Sequence, residues 1–225
     1  MKRLDRIDSS VCIDSLPFVI TAPGNYRVCA NLTGASGQTG ITILASDVTL
    51  DGDGRTLTGV PGSFDGVLVE GDRTNVRISN LALRNWGGHG VHAAFSDPAC
   101  DSVRCDKNGG DGFRIRQGSL TDCTATDNDG SGVSARGGRT GHVSLLKRCD
   151  LSRNAGAGLV IAPGIDDDCD GLADDCVMSG NGTDGVLVDA GTATNYDLRL
   201  ALHNNACNDN GSHGVHFAGA ASSGR

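Results

Sequence analysis

Gly112-Phe113-Arg114-Ile115 is followed twenty residues later by Gly132-Val133-Ser134-Ala135. Each is a glycine before a short strand-like triplet whose first and third residues are apolar. The same signature stands at Gly40-Ile41-Thr42-Ile43, Gly66-Val67-Leu68-Val69 and Gly90-Val91-His92-Ala93. It continues at Gly158-Leu159-Val160-Ile161, Gly185-Val186-Leu187-Val188 and Gly214-Val215-His216-Phe217. The intervals are 26, 24, 22, 20, 26, 27 and 29 residues. A unit this short cannot bury its own apolar side, so neighbouring units must stack into a solenoid.

Four residues before the last six of these glycines stand Trp86, Asn108, Asn128, Asn154, Asn181 and Asn210. Asn tolerates left-handed backbone, and its amide bonds well to nearby main chain. Stacked amides can bond from rung to rung, which points to parallel coils about 4.8 Å apart. A helical solenoid needs long segments of 3.6-residue period, and the chain has none. The Leu-x-Leu run followed by Asn at fixed spacing that leucine-rich repeats need is also absent.

The expected architecture is all-β. It is a parallel β-helix of about seven coils over 40–225, roughly 35 Å long at the rung spacing. Residues 1–39, punctuated by Pro17, Pro23 and Gly24, read as an N-terminal cap and the strand leading into the coil. The tail Ala218 to Arg225 is too short for a cap, so the expectation is either a chain cut short at this end or an open coil that associates end to end.

Composition narrows the function classes. The 34 glycines have no three-residue period, so collagen is excluded. Two Tyr, five Phe and one Trp leave the core to Val, Leu, Ile, Ala and Cys. The net charge of −8 argues against a nucleic-acid partner. No run approaches the roughly 18 apolar residues of a membrane span. Met1 to Leu16 is charged and polar, unlike a signal peptide, so the chain reads as a mature form with an added Met or as cytoplasmic.

Seven of the nine cysteines fall into two groups. Nine residues before the same six glycines lie Leu81, Val103, Cys123, Cys149, Cys176 and Asn205; seven before lie Leu83, Cys105, Ala125, Leu151, Met178 and Cys207. The two-residue offset puts both columns on one strand face, where small thiols pack as core. Cys12 and Cys29 precede the first repeat and are candidates to staple the cap.

These repeats resemble the right-handed parallel β-helices of the pectate-lyase-like superfamily. Ser15-Leu16-Pro17-Phe18-Val19-Ile20-Thr21-Ala22-Pro23-Gly24-Asn25-Tyr26, with Asp47-Val48-Thr49-Leu50-Asp51 after it, is similar to the opening of many bacterial secreted proteins of that type. The resemblance covers about residues 15–218. It implies the right-handed coil and a secreted or cell-surface location. The superfamily includes polysaccharide lyases, hydrolases, epimerases, phage tailspikes and adhesins.

Between Pro163 and Cys176 acids recur at Asp166, Asp168, Asp170 and Asp174, with Gly171 after the third. Calcium takes several hard oxygens around a tight turn. The expectation is an inserted loop at 163–176 holding one Ca2+ through those four carboxylates and the Leu172 carbonyl. The stretch resembles the Asp-rich calcium repeats of bacterial surface proteins. In those, a Cys pair flanks the loop, which makes Cys169 and Cys176 an alternative to Cys176 in the core column; the core is favoured.

In each marker strand the residue after Gly points in and the next points out. The outward rows place Glu70, His92, Arg114, Arg116, Ser134 and Arg136 on one surface across rungs two to five, with His89 and Asp111 at its rim. Arg114 and Arg116 suit a sugar carboxylate, since guanidinium forks onto carboxylate. His92 suits a base that removes the proton beside it. Glu70, Arg136, Ser134, His89 and Asp111 would line the ligand. No triple-carboxylate cluster of the kind usual in superfamily lyases stands here, and Glu70 has no clear acidic partner for hydrolysis.

His89-Gly90-Val91-His92 and His213-Gly214-Val215-His216 look alike but lie five rungs apart, roughly 24 Å. They cannot share a metal, neither shows a third ligand, and they read as repeat signature. The functional expectation is a calcium-stabilised extracellular β-helix that binds an acidic polysaccharide or cell-surface glycan, with lyase- or epimerase-like cleavage or epimerisation as its activity if it is an enzyme. The competing expectation is a non-catalytic structural or adhesive surface module.

Overall fold

A methyl group built on Gly132 would stand 2.6 Å from the Gly158 carbonyl oxygen of the next coil. Gly40, Gly66, Gly90, Gly112, Gly158 and Gly185 meet the following marker carbonyl in the same way, at 2.5–2.7 Å. The recurrent glycine is therefore set by how closely one coil lies on the next. The computed structural model describes residues 10–136, 143–162, 169–189 and 198–219.

Among the described residues there is no helix, and the strands form two parallel sheets. The marker sheet has nine strands: Phe18–Ile20, Ile41–Ile43, Val67–Val69, Val91–Ala93, Phe113–Ile115, Val133–Arg136, Leu159–Ala162, Val186–Asp189 and Val215–Ala218. From Ile41 onward the residue after each marker glycine pairs with its counterpart on the next rung, as in Val91 with Phe113 and Phe113 with Val133. The expected register holds throughout. The opposite sheet runs from Val11–Ile13 to Leu198–His203.

A third, narrower side joins the two. It is built from Arg104–Asp106, Thr124–Thr126 and bridges through Asp150, Val177 and Ala206. Its corners are left-handed residues in two columns. One contains Asn80, Ser102, Asp122, Arg148, Asp175 and Asn204; the other contains Asn85, Lys107, Asp127, Arg153, Gly180 and Asp209. The second column lies one residue before the Asn column. The ladder asparagines are therefore not the left-handed residues expected of them.

Their amides do form the ladder. The Asn108 side-chain oxygen accepts the Trp86 backbone N–H at 3.0 Å. Asn128 Oδ1 accepts both the backbone N–H and the Nδ2 of Asn108 at 3.0 Å. The pattern repeats from Asn128 to Asn154, Asn154 to Asn181 and Asn181 to Asn210. Trp86 ends the column: its indole packs against Gly34 and Gly40 of the first coils, with Nε1 donating to the Leu57 carbonyl.

The interior is one apolar stack from Ile13 to Val188. Both cysteine columns lie in it as expected: Cys105, Cys123, Cys149 and Cys176 are buried free thiols, and Cys207 is half-buried. Cys100 is a further core thiol, and burial pushes it up to about 12. Cys12 and Cys29 are disulfide-bonded in the first coil. At the other end Val215 and Phe217, whose register points inward, are exposed. No helix of the described residues is long and apolar enough to cross a membrane.

Candidate functional site

The residues just before the marker glycines make a second ladder. Asp65 Oδ1 accepts the His89 backbone N–H at 2.7 Å. His89 Nδ1 accepts the Asp111 N–H at 2.8 Å, and Asp111 Oδ1 accepts the Ser131 N–H at 2.8 Å. Ser131 Oγ accepts the Ala157 N–H, and Asp184 Oδ1 accepts the His213 N–H. Each acceptor side chain satisfies a donor of the coil that follows. His89 and Asp111, expected as ligand contacts, are thus first of all parts of the coil. An acceptor nitrogen cannot carry a proton, so His89 is neutral at Nδ1. Burial, the largest influence, also holds its pKa below the ordinary 6.5.

Two rungs meet at His92. Its Nδ1 lies 2.9 Å from Asp65 Oδ2. Burial of Asp65 alone would raise its pKa. The His92 hydrogen bond, the His89 N–H and both imidazoles lower it below the ordinary 3.8. With its pKa lowered, the carboxylate is the acceptor, so His92 donates from Nδ1; the tautomer with its proton there has its lone pair on Nε2. A carboxylate placed in this way fixes the tautomer and orientation of the imidazole it contacts. His92 pairs in register with Arg114 on the next rung. Arg114 is part-exposed, with Nη1 3.9 Å from Asp111 Oδ2.

The remaining expected residues part from this pair. Arg116 is committed to two carboxylates: Nε to Asp97 Oδ1 at 2.9 Å and Nη2 to Asp72 Oδ1 at 3.3 Å. The Asp97 hydrogen bond chiefly raises its pKa against the effect of burial. Ser134 is on the outer row but buried, and Arg136 Nε donates to its Oγ at 3.0 Å. Val160, next in that row, is buried too. The expected basic surface is therefore narrower and less basic than its sequence suggests. Its open part runs from Val67–Val69 to Phe113–Ile115, with Glu70 exposed beside it. Phe64, next to Asp65 in the sequence, and Phe95, just past the His92 strand, are exposed aromatic rings.

Of the residues expected to hold calcium, Asp166 and Asp168 lie outside the described residues. Asp170, Leu172 and Asp174 belong to the strand Cys169–Asp174, paired on both sides, in place of the turn expected at Gly171. Gly171 and Ala173 are buried there, and a side chain at Gly171 would meet Ile161 and Leu200. This alternation of small buried residues with Leu172 and Asp174 suits a strand. Asp174 Oδ2 lies 3.9 Å from Lys147 Nζ.

Each His-x-x-His pair does have a third neighbour. Asp65, His89 and His92 converge, as do Asp184, His213 and His216, with one potential ligand atom of each residue within 4.8 Å of the others. The missing partner is an aspartate one rung earlier, at the position before the marker glycine.

A family described as right handed beta helix region matches residues 65–224. The chain belongs to this family. The β-helix is also similar to two solved structures. One is the mannuronan C-5 epimerase AlgE6 A-module of Azotobacter vinelandii, with 17% identity, TM-score 0.49 and coverage of 93% of this chain and 71% of that one. The other is the pectate lyase Pel9A, with 15% identity, TM-score 0.49 and coverage of 92% and 70%. No curated protein matches the sequence.

Proposed function

We propose that this β-helix binds an acidic polysaccharide along the open part of the marker sheet and acts on it as a lyase or epimerase. The observation that carries this reading is the Asp65–His92 dyad with Arg114 in register one rung away. A uronate carboxylate held by Arg114 would place its neighbouring C–H by His92 Nε2. The proton passes to that nitrogen, and the charge left behind spreads onto the carboxylate held by Arg114. Loss of the glycosidic oxygen from the next carbon, protonated by solvent as it leaves, gives cleavage; delivery of a solvent proton to the opposite face gives epimerisation. Phe64 and Phe95 add flat apolar surface for sugar rings. An extracellular site of action belongs to this proposal and is supported by the Cys12–Cys29 bridge.

Pectate, alginate and glycosaminoglycans incubated with the protein test the activity, through absorbance of the unsaturated product for cleavage and proton exchange with solvent for epimerisation. Binding of the same polymers at low salt tests recognition alone. The second reading, a non-catalytic structural or adhesive module, is favoured by the commitment of Arg116 to Asp97 and Asp72 and by the burial of Ser134. It prevails if no polyanion binds. Calcium stabilisation by the Asp166 to Asp174 stretch is a separate part of the proposal. Titration of calcium-stripped protein should show one site, absent in Asp168→Ala.

A further inference from the structure

We propose that Asp184, His213 and His216 bind a divalent transition-metal ion of the zinc class, joining the Val186–Asp189 coil to the Val215–Ala218 coil. Asp184 is buried, and the ladder bond from the His213 N–H holds its carboxylate toward the next coil. His213 Nδ1 stands 2.9 Å from Asp184 Oδ1, and His216 Nδ1 stands 3.5 Å from Oδ2. The two imidazole centroids are 4.5 Å apart. Around a tetrahedral zinc with ligands at about 2.0–2.2 Å, ligand atoms stand about 3.3–3.6 Å from one another. The two His–Asp separations lie within about half an ångström of that range, and one ligand atom of each of the three side chains lies within 4.8 Å of the others.

The donor set is two imidazoles and one carboxylate, a set that suits zinc and the neighbouring divalent metals. Both histidines are substantially exposed, so a fourth position is open to water. The N-terminal cluster is built from the same sequence elements, Asp65-Gly66-Val67 and His89-Gly90-Val91-His92. It differs in one respect: His89 Nδ1 is already occupied by the Asp111 N–H. Only the C-terminal cluster aims both Nδ1 atoms at the carboxylate. This proposal does not rest on the glycan reading, because it uses none of the same residues.

The test uses the full chain, stripped with a chelator and titrated with Co2+, followed by its visible absorption and then by displacement with Zn2+. We expect Co2+ bound with nitrogen ligation in the wild type and one ion fewer per chain in His213→Gln/His216→Gln. The His89→Gln/His92→Gln variant should bind as the wild type does. His216 has no ladder bond, so His216→Gln alone keeps the coil and should weaken Co2+ binding by about 100-fold or more, beyond the roughly 10- to 100-fold that loss of an outer-shell partner costs. The proposal is overturned if the wild type takes up no Co2+, or if His216→Gln binds it unchanged. It is equally overturned if the His89→Gln/His92→Gln variant is the one that loses the ion.

Discussion

The Nδ1 atom of His89 accepts the backbone N–H of Asp111 at 2.8 Å, so this rung contact exists only while the imidazole is neutral. Burial holds the folded pKa below the 6.5 of the free side chain. Between those two values the unfolded chain binds a proton that the folded chain refuses. The contribution of His89 is complete above pH 6.5 and is lost as pH falls from there through the folded pKa. Thermal melts at about pH 7.5 and about pH 5.5 should show this loss in the wild type. In His89→Asn the amide oxygen accepts the same N–H without titrating, so the decline should be smaller. An equal decline in both proteins would refute the assignment.

Asn128 is buried and holds three coils together. Its oxygen accepts two N–H groups of Asn108, and its Nδ2 donates to the Cys105 carbonyl and to Asn154 Oδ1. Asn128→Ala strands donors and acceptors in the interior. The expected loss is about 3 kcal/mol or more, at roughly 1–3 kcal/mol per unsatisfied buried group. Denaturant unfolding measures it, with the exposed Asn208→Ala as a reference expected to lose well under half as much.

The marker glycines make a sharper contrast. Gly132→Ala drives a methyl onto the Gly158 carbonyl at 2.6 Å and against Asn154 and Leu151 at 3.0 Å. Backbone is on the receiving side, so the coils must part. Overpacking of this kind costs about 1–3 kcal/mol and occasionally more. Gly130→Ala should behave likewise, because its methyl would meet Asp111 Oδ1 at 2.5 Å and the Gly110 backbone at 2.7 Å. Gly37→Ala meets no atom within 4 Å, so its cost should come only from the positive φ of 71°.

The coil was legible because these contacts act on composition directly. Only glycine fits beneath the next carbonyl, and only a side chain with both donor and acceptor continues the amide ladder. The left-handed corners were not legible. Lys107, Asp127 and Arg153 share one corner column with Asn85 and Gly180, so backbone geometry there selects no residue type. At the site, His92 and Arg114 followed from register alone. Asp65 did not, because it lies 27 residues before His92, in the preceding rung. The column before the marker glycines would have revealed it: Asp65, His89, Asp111, Ser131, Asp184 and His213 can all accept a hydrogen bond. The pairing of Arg116 depends on Asp72, 44 residues away, and on Asp97 in the irregular stretch after the His92 strand. No repeat position marks either contact.

Arg114 and Arg116 lie two residues apart in one strand region, yet they should respond to substitution in opposite ways. Arg114 is part-exposed, and its nearest carboxylate, Asp111, stands 3.9 Å off. Arg114→Ala should leave stability within about 0.5 kcal/mol of wild type, as for an exposed side chain. It should lower uronate-polymer binding about tenfold or more, the cost of one charge-assisted contact. Arg116 is mostly buried between Asp97 and Asp72. Arg116→Ala leaves two carboxylates facing each other without their cation and should destabilise the fold by about 1–2 kcal/mol. Its effect on polymer binding should stay small wherever the variant is folded. Melting curves and low-salt binding isotherms of the two variants separate these outcomes. If Arg116→Ala abolishes binding in a folded protein while Arg114→Ala does not, the ligand carboxylate sits one row further along the strand than His92 can serve, and proton abstraction by His92 fails with it.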